Sequence, residues 1–261
     1  MSIALEQDGA LTQRQQDIVR IVAEQGYATI EALAQRFGVS TQSIRRDIIY
    51  LDKVRQLQRF HGGAGVAETT VRLGYQEKRT RASDAKLRIG RAAAGLVPPG
   101  ASVFIDVGTT AEAVARALAN RQAGLRVFTT SLGVATILAG EADLELYVFG
   151  GAVRGADGSL TGAATLAGIA GVRFDLAFLG YSGFDHDGTI MDFDLEKIAV
   201  KQAVLRRCDS PVAIGDQSKF ARRALATVAA LDAFSHLVTD ARPPAGLREA
   251  FERANLEICL A

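Results

Sequence analysis

Apolar positions recur at helical spacing in residues 12–60, whereas from about Lys86 they gather into short runs separated by longer amphipathic stretches. Thr12 stands three before Gln15, the spacing of a capping box, and Ile18, Val19, Ile21 and Val22 follow on one helical face until Gly26. Thr29 can cap a second short helix carrying Ile30, Leu33, Ala34 and Phe37, which Gly38 ends. Ser40 can cap a third, in which Ile44, Ile48 and Leu51 fall at i, i+4 and i+7 and form a buried stripe. Thr41, Gln42, Ser43, Arg45 and Arg46 lie mostly off that stripe, toward solvent. The segment 55–61 alternates and then breaks at Gly62-Gly63, the signature of a strand entering a tight turn.

Strand-like runs occupy 102–106, 126–129, 144–149, 176–179, 212–214, 236–239 and 257–260. Helical patterns at 86–96, 111–119, 132–139, 162–171 and 195–207 lie between most of them. Such alternation predicts a mostly parallel sheet with helices on both faces. The expected organisation is therefore an α+β chain of two domains. Residues 11–66 form a winged helix-turn-helix, 67–85 a polar linker and 86–261 an α/β domain.

Composition narrows the reading. Hydrophobic residues make up 48% of the 261, enough for a sizeable core and too many for a disordered chain. The formal net charge of +1 excludes a uniformly basic protein, so any nucleic-acid reading must rest on local charge. Cys208 and Cys259 have neither metal-ligand nor disulfide-framework spacing and read as cytosolic thiols. The acidic N-terminus has no apolar core of a signal peptide, and no apolar run approaches the ~20 residues of a membrane helix. The expectation is a soluble cytoplasmic protein with no membrane partner.

Local charge is decisive. Arg36, Arg45, Arg46, Lys53, Arg55 and Arg59 face only Asp47 and Asp52 within 36–61, a local charge of +4 that leaves the remainder slightly acidic. Neutralising phosphates releases counterions and supplies sequence-independent affinity for DNA. Ser40, Thr41, Gln42 and Ser43 stand at the start of the third helix, where recognition helices meet base edges. Gln pairs bidentately with adenine and Arg with guanine. Arg59 and His61 would touch backbone or minor groove from the wing. The competing explanations are a small solvated helical subdomain with ordinary surface arginines, and an oligomeric binding protein whose N-terminal helices only mediate assembly.

In the second half, Asp106-Val107-Gly108-Thr109-Thr110 ends a strand and opens a helix, where backbone N–H groups and hydroxyls favour an anion. Thr130-Ser131, Gly150-Gly151, Asp187-Gly188 and Asp216–Lys219 follow later strands. Polar and Gly-rich clusters after parallel strands collect at the carboxyl edge of the sheet, the usual ligand position. Lys219 is a candidate counter-charge for a phosphate; Asp106 and Asp187 could hold hydroxyls or simply cap turns.

Together these stretches resemble the DeoR family of bacterial sugar-metabolism regulators over roughly 11–255. The N-terminal signature is Val39-Ser40-x-x-Ser43-Ile44-Arg45-Arg46-Asp47 with Arg59-x-His61-Gly62-Gly63-Ala64. The second is Asp106-x-Gly108-Thr109-Thr110, Gly150-Gly151, Phe178-Leu179-Gly180, Asp216-x-Ser218-Lys219-Phe220 and Thr239-Asp240. The chain departs from the usual pattern at Ser43 (commonly Thr), Arg55 (often Gly) and Thr130 (commonly Asn). The resemblance implies a sensor fold related to sugar-phosphate isomerases and deaminases. It also implies a repressor of a carbohydrate or glycerol catabolic regulon, a homodimer or homotetramer on double-stranded operator DNA, and release by a phosphorylated effector. Likeness at 104–118, 179–188, 192–194, 240–244 and 256–259 points to the members that respond to glycerol 3-phosphate. The effector residues it implies are Asp106, Gly108, Thr109, Thr110, Thr130, Ser131, Gly150, Gly151, Asp187 and Lys219, with no cofactor and no metal. The alternative is an isomerase or deaminase with an accessory domain, for which Asp187, Glu196 and Lys201 would be the acid–base groups; no histidine has an evident orienting partner, so catalysis is not expected.

Overall fold

The computed structural model describes residues 11–25, 27–54, 56–60, 63–66, 83–119, 121, 124–220 and 222–261. The chain divides into two compact units, Met1–Val71 and Arg72–Ala261.

The first unit holds helices α1 (Gln13–Gln25), α2 (Ile30–Phe37) and α3 (Thr41–Lys53), with strands β1 (Tyr27–Thr29), β2 (Leu57–Phe60) and β3 (Gly63–Val66) in the order β1-β3-β2. The expected caps form. Thr12 and Gln15 exchange backbone-to-side-chain hydrogen bonds at 3.3 and 3.0 Å. Thr29 Oγ1 accepts from Ala32 N–H, Ser40 Oγ accepts from Ser43 N–H, and Gly38 ends α2 at φ +62°. Ile44, Ile48 and Leu51 are buried against Ile18, Val22 and Leu33.

The second unit is built on a seven-stranded parallel sheet in the order β15-β14-β12-β9-β4-β5-β6. Its strands are β4 (Ser102–Ile105), β5 (Leu125–Thr129), β6 (Leu144–Val148), β9 (Phe174–Gly180), β12 (Cys208–Ile214), β14 (His236–Thr239) and β15 (Glu257–Leu260). From β4 the chain builds outward to β6, then returns to place β9 on β4's other side and continues to β15, so the direction reverses between β4 and β9. One face buries Phe104, Phe174 and Leu179; the other buries Val103, Ile105 and Val127. Helices α4 (Ser83–Gly95), α5 (Thr109–Leu118) and α6 (Leu132–Leu138) cover the second face. Helices α8 (Leu195–Leu205) and α9 (Ala245–Arg253) cover the first, with α7 (Ala163–Ala170) packed on α8.

Helix α4 begins three residues before the expected domain start at 86, with Asp84 in its first turn where an acid favours the helix dipole. Residues 67–82 of the expected linker lie outside the described residues. The hydrophobic pattern did not announce the hairpin β7 (Ala152–Arg154)–β8 (Ser159–Thr161), the small sheet of β10 (Gly183–Phe184), β11 (Ile190–Asp192) and β13 (Ala226–Ala229), or α9. The strands among these are two to four residues long, too short to show alternation.

Candidate functional site

In the N-terminal unit the buried stripe of α3 fixes which side faces outward. Gln42, Arg45 and Arg46 are exposed, and neither arginine is held in an ion pair among the described residues. The acids nearby are occupied internally. Asp47 is buried at 6% exposure, where it accepts from Arg14 Nε at 2.6 Å and Gln15 Nε2 at 3.2 Å, clamping α1 to α3. Asp52 accepts the Arg59 N–H at 2.9 Å, tying the end of α3 to the wing. Of the local positive charge, Arg45 and Arg46 face outward with no ion pair among the described residues. Ser40, Thr41 and Ser43 sit at the helix start, and Ser40 is partly committed to capping. The Arg59 side chain is exposed; His61 lies outside the described residues. Sequence reasoning overlooked Ile49, which is 49% exposed and lies one turn after Arg45 on the outward face. An apolar group there can meet a thymine methyl, and its spacing of i+7 from Gln42 was readable.

In the second unit the sheet order reverses between β4 and β9, and the carboxyl edge at such a reversal is the position at which ligands bind in open parallel sheets. Gly108 caps α5 at φ +127°, a backbone conformation open to glycine, and Thr109 and Thr110 form the first helical turn, both half-exposed. Their N–H groups have no partner within the helix and offer an anion site. Parallel helices α4 and α5 touch backbone to backbone at Gly90, where an added Cβ would lie 2.5 Å from the Ala113 carbonyl. One turn toward the helix starts from that contact stand Lys86 and Thr109. Across the edge, Asp216 Oδ1 caps the turn Gln217–Lys219 through Ser218 N–H at 3.0 Å. Burial pushes the Asp216 carboxyl up, but the Ser218 hydrogen bonds and the fields of Lys219 and Lys86 outweigh it and hold it below the ordinary range. The charges of Lys219 and Lys86 thus both act on the Asp216 carboxylate.

Asp106 lies deeper, at 1% exposure. Its Oδ2 accepts Gly180 N–H at 3.0 Å and stands 3.5 Å from Lys201 Nζ. Lys201, equally buried, also pairs with Asp192. Asp192 in turn accepts the Ser182 hydroxyl at 2.7 Å and Phe193 N–H at 2.8 Å. This chain of contacts ties the loops after β4 and β9 to α8, across the reversal point. Burial pushes the Asp106 carboxyl up against the pull of Lys201 and of the Val107 and Gly180 N–H groups. Burial would also raise Asp192, but Lys201 and Ser182 bring it down to about 2. Burial would lower the Lys201 ammonium, and the two carboxylates more than reverse that. Nearby, Tyr181 Oη packs over Gly215 and has no hydrogen-bond partner among the described residues; burial, with Asp216 and Asp240, pushes its pKa up.

The other candidates have structural duties. Ser131 Oγ caps α6 by accepting Val134 N–H, and the Thr130 carbonyl accepts Leu160 N–H. Gly150 O accepts from Thr165 Oγ1 at 2.7 Å; a Cβ at Gly151 would lie 2.6 Å from the Thr161 carbonyl, so glycine is required there by crowding. Asp187, exposed at the tip of the β10–β11 hairpin, accepts Thr189 N–H at 2.9 Å. That hydrogen bond holds its carboxyl below the ordinary range. The three groups imagined for acid–base chemistry separate. Asp187 closes this turn, Glu196 binds Thr161 Oγ1 near Arg154, and Lys201 is sequestered between carboxylates. Sequence reasoning left Lys86, Ser182 and Asp192 out of the site and considered Lys201 only for catalysis. A readable signal existed for the two lysines, since each falls on the apolar stripe of its helix, Lys86 with Ile89 and Lys201 with Ile198.

Residues 81–241 match the DeoR C terminal sensor domain and residues 14–70 the DeoR-like helix-turn-helix domain. The chain belongs to the DeoR family. Similar relatives include the glycerol-3-phosphate regulon repressor of Escherichia coli, 36% identical over 250 residues that cover 95% of this chain and 99% of the relative. The repressor of the same name from Haemophilus influenzae is 35% identical over 87% of this chain and 88% of its own. The HTH-type transcriptional repressor CsqR of Escherichia coli is 32% identical over 95% and 94%. Among solved structures, ribose 5-phosphate isomerase A from Methanocaldococcus jannaschii aligns with 53% of this chain and 55% of its own at 19% identity and a TM-score of 0.40. As a DeoR-family chain with repressor relatives along nearly its whole length, this is a transcriptional regulator rather than an enzyme. Among the described residues no helix is long and apolar enough to cross a membrane.

Proposed function

We propose that this DeoR-family regulator represses a glycerol or related carbohydrate catabolic regulon and is released from its operator by glycerol 3-phosphate. The observation that carries the DNA half is the pair Arg45 and Arg46, exposed without ion-pair partners among the described residues on a Ser40-capped helix whose Asp47 and Asp52 bond to Arg14 and to the Arg59 N–H. Gln42 and the arginines read base edges, Ser40, Thr41 and Ser43 position the helix start, and Arg59 and His61 hold the backbone or minor groove. The protein acts as a homodimer or homotetramer, since a palindromic operator matches a two-fold protein.

The effector's phosphate sits at the start of α5 on Gly108, Thr109 and Thr110, with Lys86 and Lys219 as counter-charges. Its hydroxyls meet the polar loops at the ends of β4, β9 and β12. Glycerol 3-phosphate is favoured by the likeness to the two glycerol-3-phosphate regulon repressors. Release requires that the effector bind the DNA-incompetent arrangement more tightly; a coupling of about 1–3 kcal/mol changes operator affinity roughly 5–150-fold.

The test is an electrophoretic shift on DNA upstream of the protein's own and neighbouring genes. A shift released by glycerol 3-phosphate but not by glycerol is expected. A shift indifferent to the ligand discards this effector and leaves the repressor; no shift on any such DNA discards the repressor.

A further inference from the structure

A groove of about 450 Å³ runs between α4 and α5 on the outer side of the second unit. Its floor is apolar and small, with Leu87, Ala113 and Ala117, and its rim carries Arg91, Arg116 and Arg121. Arg116 pairs with Glu112 and Arg121 donates to the Ala94 carbonyl, but Arg91 is exposed with no ion pair among the described residues. Leu87 is 41% exposed. Such a surface suits an acidic segment with small or apolar neighbours.

The same unit presents one. The segment Glu141-Ala142-Asp143 follows α6, and neither acid forms an ion pair among the described residues. Placement makes the two features complementary. Helices α4, α5 and α6 lie in one layer, with α5 packed between the others. All three run from the carboxyl to the amino edge of the sheet, so Gly95, Leu118 and the 141–143 segment stand at the same edge. A two-fold axis running along α5 lays α6 of one copy over α4 of the other. It brings each acidic segment onto the other copy's arginine groove, twice per pair.

We infer that this face is a self-complementary interface through which two copies associate, with Arg91 and Arg121 of each meeting Glu141 and Asp143 of the other. The interface is isologous, as closed two-fold assemblies require. It rests on the repressor reading only for the expectation of a two-fold assembly, and it is read without DNA or effector.

The experiment is sedimentation velocity of the full chain as wild type, Arg91→Glu, Asp143→Arg and the double variant. Each single reversal creates two like-charge contacts per pair and should weaken association roughly tenfold or more. The double variant restores opposite charges and should reassociate, and raised salt should weaken the wild type. Single variants that assemble like wild type overturn the interface. A double variant no better than either single one overturns the pairing, and a monomeric wild type overturns both. A shift assay on operator DNA remains a separate readout, so failure here is distinguishable from failure of the repressor reading.

Discussion

The two units treat charge in opposite ways. On α3 the Asp47 carboxylate is buried on Arg14 and Gln15, the exposed Asp52 carboxylate is taken up by the Arg59 N–H, and Arg45 and Arg46 are left open to solvent. At the carboxyl edge of the sheet, Asp106, Lys201 and Asp192 are buried together and satisfy one another. The first arrangement suits a large, hydrated polyanion, because long-range attraction and counterion release need exposed cations. The second suits holding loops in a fixed relation, because a buried pair is costly to separate and cannot be screened by salt. Substitutions should therefore act on affinity in one unit and on folding or response in the other.

The sharpest break in this contrast is Lys201→Met, which leaves two carboxylates buried without their cation. Loss of about 3–5 kcal/mol of sensor-domain stability is expected by chemical denaturation; an unchanged midpoint would show that the cluster is hydrated and not structural. Next comes Arg46→Ala, expected to weaken operator binding by about 1–3 kcal/mol with the melting curve unmoved. Equal affinity would remove Arg46 from base reading. Gly108→Val forces a branched side chain into φ +127° at the proposed anion turn. It should keep operator binding while abolishing release by effector, and a variant that fails to fold would assign the glycine to architecture alone.

The smallest effect is the pH response. Asp192 has its folded pKa depressed to about 2, so its contribution is present above the unfolded value near 3.8 and disappears as pH falls toward 2. Asp106 is shifted upward, so it works in the other direction, subtracting stability as pH rises above its unfolded value. In acid titration of stability, Asp192→Asn should flatten the fall below pH 4, and an unaltered slope would relieve Asp192 of that role.

Legibility followed range along the chain. The three N-terminal helices, their caps at Thr12, Thr29 and Ser40, and the seven sheet strands were readable because periodicity and capping are local. Gly108, Thr109 and Thr110 were readable because a strand, a glycine and a helix start adjoin in sequence. The Asp106–Lys201–Asp192 chain was not, because its members come from three elements brought together only by the sheet crossover. Gly151 was read as a ligand loop, although what demands glycine is the nearness of Thr161 and Thr165, a packing fact that no spacing conveys.

The Arg14–Asp47 clasp has one further meaning, for how such regulators diversify. It divides α3 lengthwise into a half that belongs to the fold and a solvent-facing half that, on the proposed function, belongs to the operator. Ile44, Asp47, Ile48 and Leu51 answer to α1 and the core, while Gln42, Arg45, Arg46 and Ile49 answer to nothing else among the described residues of the protein. The outward half can be rewritten in place, one base preference at a time, without renegotiating the inward half. A lineage of repressors could thus acquire new operators on an old frame, with position 14 as a silent guardian of the boundary.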